Sequence, residues 1–335
     1  MKRPATALLS IALVGALLAG CGSTTTDNKA SSATPAAPKV FKVGLTQIAP
    51  HPSLDTVRQG IIDGLKAAGF EDNKNLKIDF QNAQGDQSTA TQIAQKFAAD
   101  KKDIIIAITT PSAQTALAAT KEIPIVFGTV TDPVGAKLVA SFEKPGGNVT
   151  GTSDMTPVKD QLALFAKLGV NVKRVGIIYN AGEDNSVFTV KQAKAVAPGL
   201  GLEIVEATVT NANEVQQAAQ SLVGRVDAFY LITDNTLAQG IQSVLAVANA
   251  KKLPTVSVEK SYVDQGALAT LGFDYYDLGK QTGAMAAQIL QGKKPADIPV
   301  ETSNNLKLTI NTKTASSLGL NIPADLLKQA EQVNK

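Results

Sequence analysis

The sequence predicts an α/β fold built from two similar, doubly wound halves, and three observations lead there. The first is an ordered internal repeat. Lys42-Val43-Gly44-Leu45-Thr46-Gln47-Ile48-Ala49-Pro50 corresponds to Arg174-Val175-Gly176-Ile177-Ile178-Tyr179-Asn180-Ala181-Gly182. Asp103–Thr109 corresponds to Asp227–Thr233, with Asp, Ile and Thr at the same spacing. Helical segments carrying Gln92/Gln95 and Gln217/Gln220 precede those strands, and Lys121-Glu122-Ile123-Pro124 matches Lys251-Lys252-Leu253-Pro254. The second observation is that the strands are continuous apolar runs, as expected where helices cover both faces of a parallel sheet. The third is a 3.6-residue period in the segments between them. Leu54, Val57, Ile61, Leu65 and Ala68 form one stripe, and Leu237, Ile241, Val244, Leu245 and Ala248 another.

From the N-terminus, Met1-Lys2-Arg3 is basic and Leu8–Leu18 is apolar except at Ser10 and Gly15. That run is shorter than the ~20 residues a spanning helix needs and suits the core of an export signal. Leu18-Ala19-Gly20-Cys21 resembles a bacterial lipobox. The resemblance implies removal of a signal peptide at 1–20 and a lipid on Cys21, holding the chain on the extracytoplasmic face of the cell membrane. Residues 21–39 are rich in Ser, Thr, Ala and Pro and read as a flexible tether. Without Lys2 and Arg3 the chain has 30 basic against 29 acidic residues, which gives no electrostatic footprint for nucleic acid. Cys21 is the only cysteine, so once lipidated it leaves no thiol for a disulfide. Residues 40–335 are long enough for two domains.

Polar residues gather where the predicted strands end. Thr46, Gln47, His51 and Ser53 follow the first strand, with Ser53 a candidate cap for the helix to Ala68. Thr109, Thr110 and Ser112 follow the second repeat strand, and Pro111 among them suits a first helical turn. Thr131 and Asp132 follow the strand at Phe127. In the second half Tyr179, Asn180, Asn185 and Ser186 follow the first strand, and Thr233, Asp234 and Asn235 open a helix. Ligands of doubly wound sheets sit outside the carboxyl ends of the strands, so two such edges facing each other would form a cleft. Each of these residues alone also reads as a helix cap or turn residue. Gly147–Asp154 and Leu268–Asp277 read as connections between the halves, with Ser153, Asp154, Phe273 and Asp274 at their ends and Gly151 and Gly272 as candidate hinge residues.

Most catalytic devices are missing. His51 is the only histidine, and the sequence holds no Gly-x-Ser-x-Gly elbow and no Gly-x4-Gly-Lys-Ser/Thr loop; no Gly-x-Gly-x-x-Gly follows either first strand. One His and one Cys cannot make a metal cluster of those residues. Carboxylate chemistry stays open. The balance favours binding over catalysis, with no cofactor and no metal.

Several blocks carry a family resemblance: Lys42-Val43-Gly44, Gln81–Asp86, Thr131-Asp132-Pro133-Val134-Gly135, Lys144–Asp154, Thr233–Thr236 and Ala269–Tyr276. Together they resemble the periplasmic-binding-protein type I lipoproteins of ABC importers, and more narrowly the ABC substrate-binding family that includes tryptophan-binding lipoproteins. The resemblance implies two lobes joined by three crossover strands, with residues 40–153 plus 275–297 in lobe 1 and 154–274 plus 298–335 in lobe 2. It implies capture of a small molecule, an amino acid and among these an aromatic one, for delivery to an ABC permease by a monomeric chain. A sensor for a membrane receptor and an extracytoplasmic α/β enzyme are the competing readings. A zwitterionic ligand would set its carboxylate at a helix N-terminus beside Thr110 or Ser112. Its ammonium would face Asp154, Asp234 or Asp274, and its side chain Tyr179 or Phe273.

Overall fold

The structure, a computed structural model, describes residues 39–303 and 305–334. The expected signal peptide, Cys21 and all of the tether but Lys39 lie outside the described residues. In the first lobe the order is β1 (Phe41–Gln47), α1 (Pro52–Ala67), β2 (Leu76–Asn82), α2 (Gln87–Ala99), β3 (Ile104–Ile108), α3 (Thr110–Ala119), β4 (Ile125–Gly128) and β5 (Val149–Ser153). The second lobe follows with α4 (Val158–Lys167), β6 (Arg174–Asn180), α5 (Asp184–Val196), β7 (Glu203–Val209), α6 (Val215–Leu222), β8 (Ala228–Leu231), α7 (Asn235–Ala250), β9 (Thr255–Ser257), α8 (Lys260–Asp264) and β10 (Ala269–Gly272). The chain returns to the first lobe as α9 (Tyr275–Leu290) and β11 (Glu301–Thr302), then ends in the second as β12 (Lys307–Asn311), α10 (Thr312–Ser317), α11 (Ala324–Gln329) and β13 (Glu331–Val333).

One sheet runs β11-β5-β4-β3-β1-β2 and the other β13-β12-β10-β9-β8-β6-β7. Central strands are buried throughout, as in Ile104–Ile108, whereas the edge strands β2 and β7 are partly exposed. The chain passes between the sheets three times, after β5, β10 and β11. The second sheet is not wholly parallel: β12 runs antiparallel to β10. β10 leads toward the junction between lobes and β12 leads away from it, so the opposed direction follows from the third crossing. The expected boundary after residue 297 also moves. Ile298 and Val300 pack in the first lobe's core, and β11 pairs with β5. The third crossing therefore lies between Thr302 and Lys307.

Ser53 does not take the expected cap of α1: the helix begins at Pro52 with His51 in the capping position. Gly151 and Gly272, the expected hinge residues, do not have left-handed backbone. A Cβ on them would lie 2.0 Å from the Phe127 carbonyl oxygen and 2.5 Å from that of Val258, so close strand packing demands glycine there.

The helix of the second crossing is locked to the first lobe through paired glycines. A Cβ on Gly60 would meet the Tyr276 carbonyl oxygen at 2.3 Å, and one on Gly64 that of Lys280 at 2.4 Å. Reciprocally, Gly279 faces the Val57 carbonyl oxygen at 2.3 Å and Gly283 that of Ile61 at 2.2 Å. The four-residue spacing on both helices puts each pair on one face, so the backbones touch directly.

Candidate functional site

The carboxyl ends of the two sheets face each other and enclose a narrow cavity. It encloses only about 10 Å³ of free volume, far below the about 300–1,000 Å³ of ligand sites, so the two edges are closed tightly on one another. Hydrogen bonds hold the two rims together. Gln114 Nε2 donates to Asp184 Oδ2 at 2.7 Å, and Ser53 Oγ lies 2.7 Å from Ser261 Oγ, which donates to Glu259 Oε2.

The first lobe's rim is built from four strand ends. Asp154 follows β5, Thr129 and Thr131 follow β4, Thr109 and Thr110 follow β3, and His51 with Leu54 follows β1; all line the cavity. Thr109 has φ 81° and ψ 162°, and Thr129 has φ 56°. A positive φ is costly for a β-branched residue, and such strain persists at sites where the surroundings impose it. The strained Thr109 caps α3, whose first turn holds no acid and no side-chain cap. The Oγ1 atoms of Thr109 and Thr110 are buried without a partner, as are both ring nitrogens of His51. Buried polar atoms normally find a partner, so this grouping of unpartnered atoms stands out.

The second lobe contributes Asn185, Thr233, Asp234, Asn235, Ala238, Glu259 and Tyr262, and the second crossing contributes Tyr275. Here the helix ends are already filled. Asp234 caps α7 by accepting from Leu237 N, and also accepts from Asn180 N and Ser186 Oγ. Glu183 precedes α5 and accepts from Asn235 N, Thr236 Oγ1 and Asn185 Nδ2. Asp154 has fewer donors. Asp154 accepts from Thr131 Oγ1 at 2.7 Å and from the Tyr275 hydroxyl at 3.4 Å.

Burial raises the pKa of all four acids. Asp154 is pushed up to about 6 against the pull of Thr131 and Tyr275. Glu259 is pushed up to about 7, although the hydroxyls of Ser261, Ser53 and Tyr262 oppose the shift and Asp154 adds to it. Glu183 and Asp234 shift upward for the same reason, and the charge of Asp234 raises Glu183 further. None of the four joins an ion pair among the described residues. Burial holds His51 down at about 4, so it is neutral at physiological pH. The cavity therefore gathers carboxyls with no cation to pair them.

Other expected site residues lie elsewhere or serve as support. Asp274 is an exposed cap, accepting from Tyr276 N, because α9 starts at Tyr275 directly after it. Phe273 packs edge-on to Tyr275 in the first lobe's core. Tyr179 turns along the sheet to donate to Glu206. Asp132 closes its own turn by accepting from Gly135 N. Gln47 donates to the Ala49 carbonyl in its own loop, and Ser153 donates to the Thr131 carbonyl. Asn180 and Ser186 hold Asp234 in place, and Ser112 is buried in the first turn of α3 outside the cavity lining. Glu259, Tyr262 and Tyr275 line the cavity without having been singled out from the sequence.

A sequence profile described as "ABC transporter substrate binding protein" matches residues 42–334. The chain is 42% identical over 327 residues to a tyrosine-binding protein of Clostridioides difficile strain R20291, covering 96% of this chain and 95% of that one. It superposes with a TM-score of 0.85, at 40% identity, on a Streptococcus pneumoniae ABC domain in complex with L-Trp, covering 88% of this chain and 100% of that one. Against the ligand-free, open structure of a Clostridium difficile substrate binding protein with adhesive properties, identity is 43% and coverage is again 88% and 100%, but the TM-score is 0.67. Among the described residues, no helix is long and apolar enough to cross a membrane.

Proposed function

Because the chain belongs to the ABC transporter substrate binding protein family, we propose that it captures an aromatic amino acid between its lobes and delivers it unchanged to an ABC permease. The observation that carries this reading is the unpaired charge pattern of the cavity: buried acids without a cation, opposite a helix N-terminus without an anion. A zwitterion supplies both. Its carboxylate fits the free first turn of α3 beside Thr109 and Thr110. Its ammonium fits Asp154, which accepts the fewest donors, with Glu259 close enough to feel the charge of Asp154. Glu259's own donors are hydroxyls, whereas Asp234 and Glu183 already accept N–H donors from their own lobe. The relatives named for tyrosine and for an L-Trp complex support the aromatic class. The closer superposition on the Trp complex than on the open form agrees with lobes that bond across their rims. Native mass spectrometry of the protein as purified tests the reading. The expected result is a bound mass equal to an intact aromatic amino acid; a sugar mass contradicts it.

The same reading places the chain outside the cytoplasmic membrane, anchored by lipid on Cys21. Its support is the run Leu18-Ala19-Gly20-Cys21 after an apolar segment too short to span. A Cys21→Ser variant is expected to leave the membrane fraction. Retention at the wild-type level would place the anchor elsewhere.

A further inference from the structure

Within the cavity, His51 is a lining group without a match among the charged ends of an amino acid. His51 is 8% exposed, and neither ring nitrogen has a partner. It lies at the opposite end of the first lobe's rim from Asp154. The sheet order places β5, β4, β3 and β1 side by side, so the strands that these residues follow stand about 14 Å apart at ~4.8 Å per strand. The α3 turn, where the ligand carboxylate would bind, lies between them on β3. None of the three acids that line the cavity, Asp154, Asp234 and Glu259, is among the groups that shift His51; the charge that acts on its ring is that of Asp55, on the outer side of α1. Its immediate neighbour in the lining is Leu54, and Ala238 of α7 is a second apolar group of the same lining. Along the first lobe's rim the lining thus passes from Asp154, through the α3 N-terminus, to Leu54 and one neutral imidazole.

We propose that His51 reads a hydrogen-bonding group at the tip of the ligand's ring, a phenol O–H or an indole N–H, and so selects against a ring without one. The inference rests on the amino-acid reading above and adds the residue that sets its specificity. A neutral imidazole offers one donor and one acceptor, so it can meet either group. A bare phenyl ring would bury the imidazole with its polar atoms unmet. Sites that lose a buried partner in this way discriminate strongly against the analogue lacking the group.

The test is calorimetric titration of the purified full chain with L-tyrosine, L-tryptophan and L-phenylalanine, for the wild type, His51→Leu and His51→Gln. The wild type is expected to prefer tyrosine or tryptophan over phenylalanine by about tenfold or more, the effect of leaving one buried polar group unpaired. In His51→Leu that preference should collapse through weaker binding of the preferred ligand, with phenylalanine nearly unaffected. His51→Gln retains a donor and an acceptor and should keep part of the preference; it also carries the test if the leucine variant fails to fold. Equal binding of all three ligands by the wild type overturns the proposal. So does an equal loss for all three in His51→Leu, which would place His51 at the shared amino-acid end or in a purely structural role. If no aromatic amino acid binds at all, the functional reading fails and this inference with it.

Discussion

An Asp154→Ala variant is expected to bind the amino acid at least about tenfold more weakly, because truncating one partner of a buried charge pair typically costs about 2–5 kcal/mol and each ~1.4 kcal/mol is a decade. Thermal stability without ligand should not fall with it. Burial already holds the Asp154 carboxyl at a raised pKa, so ionising it in the closed cavity opposes folding. Asp154→Asn keeps the side-chain shape and should show the same loss of affinity. Asp274→Ala serves as the contrast. It removes an exposed helix cap, which costs about 0.5–2 kcal/mol of stability and should leave affinity unchanged. Calorimetry and melting curves on the three variants separate these outcomes. Wild-type affinity in Asp154→Ala would remove this residue from the site.

The same acids set the sign of the pH response. Asp154 and Glu259 have folded pKa values near 6 and 7, above the ordinary carboxylate range of about 4. The unliganded fold therefore holds protons that the unfolded chain has released. Their contribution to stability is complete below about pH 4 and is lost as pH rises through about 6 and 7. A ligand ammonium favours the charged carboxylates and reverses that loss. The rise in melting temperature on adding ligand is expected to grow between about pH 5 and pH 8.

Gly283→Ala is expected to destabilise the chain, against the direction that helix propensity alone suggests. Alanine in a helix interior is favoured over glycine by about 0.8–1.0 kcal/mol. At Gly283, however, the new methyl would sit 2.2 Å from the Ile61 carbonyl oxygen, with Gly64 Cα at 3.0 Å. Backbone cannot rotate away as a side-chain tip can, so α1 and α9 must separate. Overpacking of this kind costs about 1–3 kcal/mol, occasionally more, and exceeds the propensity gain. Gly147→Ala is the control: its Cβ meets nothing within 4 Å, and a surface change of this kind stays within about 0.5 kcal/mol. A rise in melting temperature for Gly283→Ala would show that the helix contact is looser than described. The contact also bears on the site, because His51 stands at the start of α1 and Tyr275 at the start of α9.

Much of this architecture was legible because buried parallel strands leave an uninterrupted apolar signature. Asp103–Thr109 and Asp227–Thr233 announced the two sheets, the strand-end rule then pointed to Thr109, Thr131 and Asp234, and the connection between the halves pointed to Asp154. What stayed hidden depended on side-chain direction and on contacts between distant segments. Nothing local tells that Tyr179 turns toward Glu206 or that Asp274 is spent on its own helix. Glu259 follows a strand of three residues and reads as an ordinary solvated charge. The repeat did carry a signal for it: extending the match of Pro124 with Pro254 by five residues pairs Glu259 with Thr129, which lines the same cavity from the opposite lobe. The paired glycines of α1 and α9 lie far apart in sequence, and only the fold brings them together.

The central claim is that the facing sheet edges hold an intact aromatic amino acid through both of its charges. Its most direct measurement is isothermal titration of the wild-type chain with L-tyrosine and L-tryptophan, their decarboxylated amines and common sugars, followed by recovery of the ligand. The expected result is saturable binding of one amino acid per chain, loss of affinity for the amine that lacks the carboxylate, and ligand recovered unchanged. Binding of a sugar but no amino acid, or recovery of a chemically altered ligand, would contradict it.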